Sequence, residues 1–236
     1  MMEAAKRVSE FEWPAIGEHL WQHGFSRIGV LLSESECKDI RSMYSDPTQF
    51  RTKIDMARFR FGRGEYQYFR YPLPELISCL RKALYENLYE IADAWMSALK
   101  IKAKFPATLD LFLEHCRERG QVRPTPLLLR YRAGDFNCLH QDVYGDLVFP
   151  FQVIIALSAP VTDFQGGELL LVEQIPRAQS RGHALTLARG EAVVISTRFR
   201  PIKGTRGFYR ATVRHGVSTV LAGERFTLGI VFHDSK

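Results

Sequence analysis

Residues 149–158 read FPFQVIIALS, a short and almost wholly apolar run that is followed by Ala159-Pro160. Gly, Pro or Asp punctuates the chain around it, and such punctuation between β-prone runs is typical of strands joined by turns. Seven or eight short strands within about 110 residues predict a double-sheet jelly roll or a related β-barrel. The other runs are LLLRY at 127–131, GGELLLVEQ at 166–174, HALTLARG at 183–190, EAVVIS at 191–196, ATVRHGVSTVL at 211–221 and RFTLGIVF at 225–232.

The first half of the chain has a helical pattern instead. Leucines and other apolar residues recur at spacings of three or four between Pro74 and Lys100, which predicts a long amphipathic helix. Ser33 and Glu36 form a capping-box pattern for a helix that ends near Tyr44. Further predicted elements are a helix at Pro14–His23 that ends at Gly24, a strand at 25–32 and a helix at Ala107–Arg119.

These patterns predict one α+β domain over residues 1–236. We expect residues 1–124 to form a mainly helical buttress and residues 125–236 to form a double-stranded β-helix (jelly roll) core that carries the catalytic residues. The net charge of +6 favours a polyanionic partner, and 46% hydrophobic residues suffice for a sizeable core. The sequence contains neither a transmembrane stretch nor a signal-peptide pattern, so we expect a cytoplasmic protein without a membrane partner. The sequence does not indicate an oligomeric state.

A candidate metal site begins at Leu139-His140-Gln141-Asp142. Residues two apart in a strand point to the same face, so His140 and Asp142 can both face the inside of the barrel. His215 lies 73 residues further on and supplies a second imidazole. Two histidines and one carboxylate on one face of an octahedron are typical of non-haem Fe(II) oxygenases, because three positions stay open for a bidentate cosubstrate and O2. Each piece alone also fits an ordinary core histidine or a chance HxD tripeptide.

Arg225 and Thr227 follow His215 by ten and twelve residues and share one face of a predicted strand. A guanidinium binds a carboxylate through two parallel hydrogen bonds, and a neighbouring hydroxyl can add a third. The pair is therefore suited to the distal carboxylate of 2-oxoglutarate. The combination of HxD on an early strand, His on a late strand and RxT after it is more specific than any one of its parts.

At these residues the chain resembles the Fe(II)/2-oxoglutarate-dependent oxygenase superfamily. Tyr131-x-x-Gly134 resembles the tyrosine-glycine segment that precedes the HxD motif in prolyl-hydroxylase-like members. The GGEL segment at 166–169 resembles the turn between core strands, and residues 189–194 resemble the strand before the second histidine. The likeness implies that Tyr131 lines the 2-oxoglutarate pocket, although a core tyrosine is the alternative. It also implies Fe(II), 2-oxoglutarate and O2 as cofactor and cosubstrates.

Over nearly its whole length the chain also resembles a bacterial oxygenase family named for oxidative action on damaged, methylated DNA. The likeness implies oxidative demethylation of alkylated DNA bases. AlkB-type demethylases carry a second arginine in an RxNxTxR pattern, whereas no arginine follows Arg225 here. The segments that carry the likeness are FGRGEY at 61–66, YPLP at 71–74, RPTP at 123–126, NCLHQD at 137–142 and RHGV at 214–217.

Two basic stretches bear on the substrate. Residues 198–214 hold six cations and no acid, and residues 50–71 hold six cations, seven aromatics and two acids. Cations that follow a phosphate backbone, mixed with rings that stack on bases, indicate single-stranded nucleic acid or a flipped base. The alternatives are solvated loops, a protein or peptide side-chain hydroxylase of the prolyl-hydroxylase type, and a DNA-binding module that has lost catalysis. The candidate substrate-binding residues are Arg198, Arg206, Arg210 and Tyr144.

Overall fold

Two antiparallel sheets form the centre of the molecule, which a computed structural model describes over residues 2–236. The large sheet has the strand order β1-β11-β7-β14-β5-β4-β2, with β8 paired to the start of β14. The small sheet has the order β10-β9-β13-β6-β3, with β12 paired to β13. The predicted class, α+β with a jelly-roll core, is confirmed. The strands are β1 Phe25–Val30, β2 Phe50–Asp55, β3 Gly62–Arg63, β4 Glu65–Phe69, β5 Leu127–Arg132, β6 Phe136–His140, β7 Phe151–Ala156, β8 Phe164–Gly166, β9 Leu169–Gln174, β10 Arg181–Leu185, β11 Glu191–Ser196, β12 Phe199–Gly204, β13 Gly207–Val217 and β14 Val220–Val231.

Five α-helices accompany the sheets within the described residues. Gly24 ends α2 with a left-handed φ of 80°, and the capping box of Ser33 and Glu36 begins α3, both as predicted. The first helix, which has eight residues and only about two turns, was not predicted. The helices are α1 Met2–Ser9, α2 Trp13–His23, α3 Glu34–Met43, α4 Glu75–Ala98 and α5 Leu109–Glu118. None of them is long and apolar enough to cross a membrane.

The long helix α4 packs on the outer face of the large sheet. Its predicted stripe is largely buried, with Leu84, Leu88 and Trp95 fully inaccessible. The Trp95 ring meets Phe151 of β7 at 5.0 Å between centroids, and its indole nitrogen donates to the Phe199 carbonyl. This packing covers the outer face of the large sheet, so the functional site can lie only on the opposite face.

Strands from both sides of residue 124 pair with one another in the two sheets. Four strands come from residues before it, and β1, β3 and β4 pair with β11, β6 and β5 from the second half. The stretch 50–71, which was predicted only as a basic and aromatic segment, forms β2, β3 and β4 and a short 3₁₀ turn at Met56–Phe59. Another 3₁₀ turn, Pro47–Gln49, precedes it. Residues 1–124 are therefore helical in part and supply strands to both sheets.

Candidate metal and cosubstrate site

A cavity of about 320 Å³ lies between the two sheets. Strands β4, β5, β7 and β14 of the large sheet and β6, β9 and β13 of the small sheet contribute to its wall. Its lining includes all six residues that the sequence predicted for metal and 2-oxoglutarate binding, His140, Asp142, His215, Tyr131, Arg225 and Thr227. Most of the remaining wall is apolar or aromatic, which limits water around the polar group.

The two histidines oppose each other in the small sheet. His140 of β6 pairs in register with His215 of β13, and their ring centroids are 4.2 Å apart. Asp142 lies between them, with Oδ2 3.2 Å from His215 Nε2 and Oδ1 3.6 Å from His140 Nε2. One ligand atom from each residue lies within 4.8 Å of the others, and no second group of this kind occurs among residues 2–236.

Asp142 reaches this group from a loop, not from a strand. Strand β6 ends at His140, so the two-residue strand period does not place the carboxylate. The Tyr144 hydroxyl instead donates a hydrogen bond to Asp142 Oδ1. Tyr144 was predicted to bind substrate; it lines the cavity, but its hydroxyl is committed to the carboxylate.

A backbone carbonyl selects the nitrogen that His140 presents to the site. His140 Nδ1 donates to the Cys138 carbonyl at 2.8 Å, which leaves the Nε2 lone pair facing Asp142. The Gln152 amide nitrogen lies 3.3 Å from His215 Nε2, and His215 Nδ1 is buried without a hydrogen-bond partner among the described residues. Hydrogen bonding of the other ring nitrogen is the usual way in which proteins orient metal-binding histidines.

The protonation states also suit a cation. Burial alone raises the pKa of Asp142, but hydrogen bonding to His215, the charges of both histidines and the Tyr144 hydroxyl together hold it well below its usual value. Burial, followed by the charge of His215, lowers the pKa of His140. An ionised Asp142 and a neutral His140 are the states in which these groups bind metals.

Arg225 lies in the same cavity as a buried cation without an acidic partner. Its guanidinium is 3.4 Å from Thr227 Oγ1 and lies near the rings of Tyr131 and Phe164, at 5.5 and 5.9 Å. No carboxylate of the described residues is within 4.0 Å of it. Burial lowers its pKa, while Tyr131 and Glu168 raise it. An uncompensated buried charge is costly, so this position suits an anionic ligand.

The GGEL turn leaves space for the Arg225 side chain. Gly167 has a φ of +64°, and a Cβ at this position would lie 2.9 Å from Arg225 Cδ. The Glu168 carboxylate, the nearest acid in the turn, accepts a hydrogen bond from Ser218 instead of pairing with Arg225. The turn therefore makes room for the arginine without neutralising it.

Tyr131 is fully buried and lines the cavity. Its hydroxyl accepts from Asn137 Nδ2 at 3.3 Å, and burial raises its pKa well above the usual value. Sequence reasoning did not identify Asn137, Gln152 or Tyr66, which also line the cavity. Alternation along their strands could have placed them inside the sheets, but could not have distinguished the cavity from the core.

The three predicted substrate-binding arginines do not line the cavity. Arg198 precedes β12 and Arg210 lies on β13, and both guanidinium groups lie over the Phe199 ring at 4.4 and 4.5 Å. Arg206 is exposed in the turn between these strands, at the end of β13 remote from His215. Arg198 is connected with the cavity only through its backbone, because the Gln141 amide donates to the Arg198 carbonyl.

Comparison with known proteins agrees with this geometry. A protein of Mycobacterium tuberculosis strain H37Rv, named only as uncharacterized, is 50% identical over 173 residues, which span 73% of this chain and 74% of the relative. A protein of strain CDC 1551 matches to the same extent.

Solved structures share the fold at low sequence identity. A Trichoplax adhaerens prolyl hydroxylase, solved with a hypoxia-inducible-factor peptide fragment, superposes with a TM-score of 0.61 at 14% identity, covering 99% of this chain and 93% of the other. A Pseudomonas putida prolyl-4-hydroxylase gives 0.55 at 17% identity, covering 95% and 99%. A Burkholderia pseudomallei oxidoreductase of the 2OG-Fe(II) oxygenase family gives 0.52 at 16% identity, covering 96% and 93%.

A family of sequences described as "oxygenase, catalysing oxidative methylation of damaged DNA" matches residues 64–235. This match spans most of the chain and includes every residue of the His–Asp–His group and the Arg225–Thr227 pair. The prediction that the chain is an enzyme of the oxygenase class is thereby confirmed: it belongs to the Oxygenase-NA family.

Proposed function

We propose that this oxygenase is an Fe(II)- and 2-oxoglutarate-dependent dioxygenase that oxidises alkylated bases of nucleic acid. One observation carries the proposal. The buried group of His140, Asp142 and His215 shares a cavity with Arg225, a buried cation that lacks a carboxylate partner. Two histidines with one carboxylate suit Fe(II), and an uncompensated guanidinium suits a dicarboxylate cosubstrate.

Each ligand residue then has a separate role. His140 Nε2, one Asp142 oxygen and His215 Nε2 would hold the iron, and the metal with 2-oxoglutarate and O2 would supply the oxidation of a substrate C–H bond. Tyr144 keeps the Asp142 carboxylate turned towards the histidines. The Cys138 carbonyl keeps the Nδ1 proton of His140 away from the metal side.

Arg225 and Thr227 would bind the distal carboxylate of 2-oxoglutarate. The guanidinium can donate two parallel hydrogen bonds, and the hydroxyl can donate a third from the next inward position of β14. Tyr131 closes this side of the cavity behind Arg225. Apolar residues of β5, β7 and β9 line the rest of the pocket and restrict water near the reacting atoms.

Different observations favour two classes of substrate. The basic stretch 50–71, of which Arg60 and Phe61 line the cavity, and the description of the matching family favour nucleic acid. The likeness of the fold to prolyl hydroxylases and the lack of a second arginine after Arg225 favour a peptide side-chain hydroxylase. Peptide hydroxylation is therefore the second candidate.

Turnover of 2-oxoglutarate with Fe(II) and O2, measured as succinate formation, tests both candidates. The substrates to compare are single-stranded oligodeoxynucleotides that carry N-methylated bases, their unmethylated counterparts and proline-containing peptides. We expect the methylated oligonucleotides to stimulate succinate formation and to release formaldehyde, since a hydroxylated N-methyl group breaks down to formaldehyde and the unmodified base. Stimulation by peptides alone would replace the nucleic-acid assignment with the hydroxylase.

A further inference from the structure

Two aromatic side chains are exposed beside the opening of the cavity. Phe59 ends the 3₁₀ turn Met56–Phe59, and Phe61 follows two residues later, just before β3. They are 53% and 46% exposed, and their rings stack at 5.5 Å between centroids with 20° between planes. Phe61 also lines the cavity itself. Two large apolar rings left in water next to an active site suit a partner that covers them.

The backbone that carries the pair is firmly attached to the metal-binding sheet. The Phe61 carbonyl accepts from the Cys138 N–H at 2.8 Å, and the Phe61 N–H donates to the Met56 carbonyl at 3.1 Å. Met56 is fully buried in a cluster with Tyr131. A Cβ at Gly62 would lie 2.3 Å from the Phe136 carbonyl oxygen, so β3 lies closely against β6. The backbone contacts therefore fix the two rings beside Cys138, which lies two residues before His140.

The charge around the pair is positive. Arg60 lies between the two phenylalanines with a left-handed φ of 59°, and it lines the cavity together with Phe61. No described carboxylate forms an ion pair with Arg60 or Arg63, whereas Arg58 has Asp55 at 3.6 Å. Arginines free of acidic partners beside exposed rings match a partner with negative charge and flat faces.

We propose that Phe59 and Phe61 form a stacking platform for unpaired bases of single-stranded DNA, with Arg60 on the adjacent phosphate. This inference rests on the proposed nucleic-acid oxygenase and names the part that would position its substrate. Every base has a π face, so rings of this kind bind strands without reading their sequence. The cavity lies between two sheets, and only a base taken out of a duplex can enter such a site.

Binding of fluorescently labelled single-stranded oligodeoxynucleotides to the full chain tests the platform. We expect Phe59→Ala and Phe61→Ala each to weaken binding roughly 5- to 150-fold, the range of one base–aromatic stack. A 2-aminopurine in the strand should lose its stacking-dependent quenching in the same variants. Leu111→Ala is the matched control, because Leu111 is similarly exposed on α5, at 48%, and should bind as the wild type does.

The salt dependence separates the rings from the arginine. Each phosphate contact on a single strand contributes about 0.7 to the slope of log K against log salt. Arg60→Asn, which keeps a residue that tolerates positive φ, should reduce the slope by about this amount. Phe59→Ala should weaken binding without changing the slope.

Failure of the stacking platform and failure of the proposed function give different results. If wild-type protein turns over 2-oxoglutarate and binds oligonucleotides, but both phenylalanine variants bind equally well, the platform is refuted and the proposed function stands. Loss of peptide-stimulated turnover in these variants, with unchanged oligonucleotide binding, would assign the surface to a peptide and overturn the inference. An absence of 2-oxoglutarate turnover in the wild type would refute the proposed function itself. Melting temperatures of the variants check that each is folded.

Discussion

Replacement of Arg225 by methionine should remove 2-oxoglutarate binding without unfolding the protein. The guanidinium is buried and has no carboxylate partner, while methionine fills a similar space without charge. Loss of one member of a buried, hydrogen-bonded charge pair costs roughly 2–5 kcal/mol, so we expect 2-oxoglutarate affinity to fall by about 30-fold or more. Because an uncompensated buried charge is itself destabilising, the ligand-free variant should melt at the same temperature as the wild type or higher.

Thermal unfolding under nitrogen with Fe(II), with and without 2-oxoglutarate, measures both effects. A ligand present at 100 times its Kd stabilises the folded state by about 2.7 kcal/mol. For a chain of this length 1 kcal/mol corresponds to roughly 2–4 °C, so the wild type should gain about 5–11 °C. With an affinity about 30-fold lower, the same concentration stabilises the variant by about 0.9 kcal/mol, so it should gain at most roughly 2–3 °C.

Arg130→Met is the matched control for this experiment. Arg130 lies on the neighbouring strand β5 but on the other face of the sheet, where it pairs with Glu224 at 2.6 Å. Its loss should lower the melting temperature slightly and leave the 2-oxoglutarate shift intact. A full shift in Arg225→Met, or a lost shift in Arg130→Met, would refute the assignment of Arg225.

Two further variants test the groups around the metal site. Tyr144→Phe removes the hydroxyl that donates to Asp142, and Fe(II) titration should show a roughly 10- to 100-fold loss of Fe(II) affinity. Tyr89→Phe is the control, because the Tyr89 hydroxyl donates to the exposed Glu90, and it should show no loss. Burial lowers the pKa of His233 to about 3. Below about pH 6.5 the unfolded chain therefore binds a proton at His233 that the folded protein does not bind, so stability is lost as the pH falls from 6.5 towards 3. Urea unfolding should give His233→Gln a shallower pH dependence in that window, by up to about 1.4 kcal/mol per pH unit; an unchanged slope would contradict the buried neutral histidine.

Much of the site could be predicted from the sequence because its spacing follows from strand geometry. Arg225 and Thr227 are two apart on β14 and do share the cavity face. His140 and His215 lie on paired strands, as a jelly roll requires of an early and a late strand. The GGEL turn also lies beside Arg225, where glycine is needed for space.

Other features depend on tertiary contacts that leave no local pattern. Asp142 lies beyond the end of β6 and is positioned by Tyr144, which the sequence assigned to substrate. Strands β2, β3 and β4 lie in a stretch rich in charged and aromatic residues, and this composition was interpreted only as a nucleic-acid surface. The arginines of 198–214 follow a hairpin away from the cavity, because strand pairing between β12 and β13 fixes their position.

Succinate formation from 2-oxoglutarate by the purified chain, with Asp142→Ala beside the wild type, tests the central claim most directly. Asp142 is the only carboxylate in the three-residue group found among residues 2–236, so its loss removes one iron ligand and leaves Arg225 in place. The account predicts succinate formation by the wild type that requires Fe(II) and O2, and none above background by the variant. Full turnover by Asp142→Ala, or turnover by the wild type without iron, would contradict it.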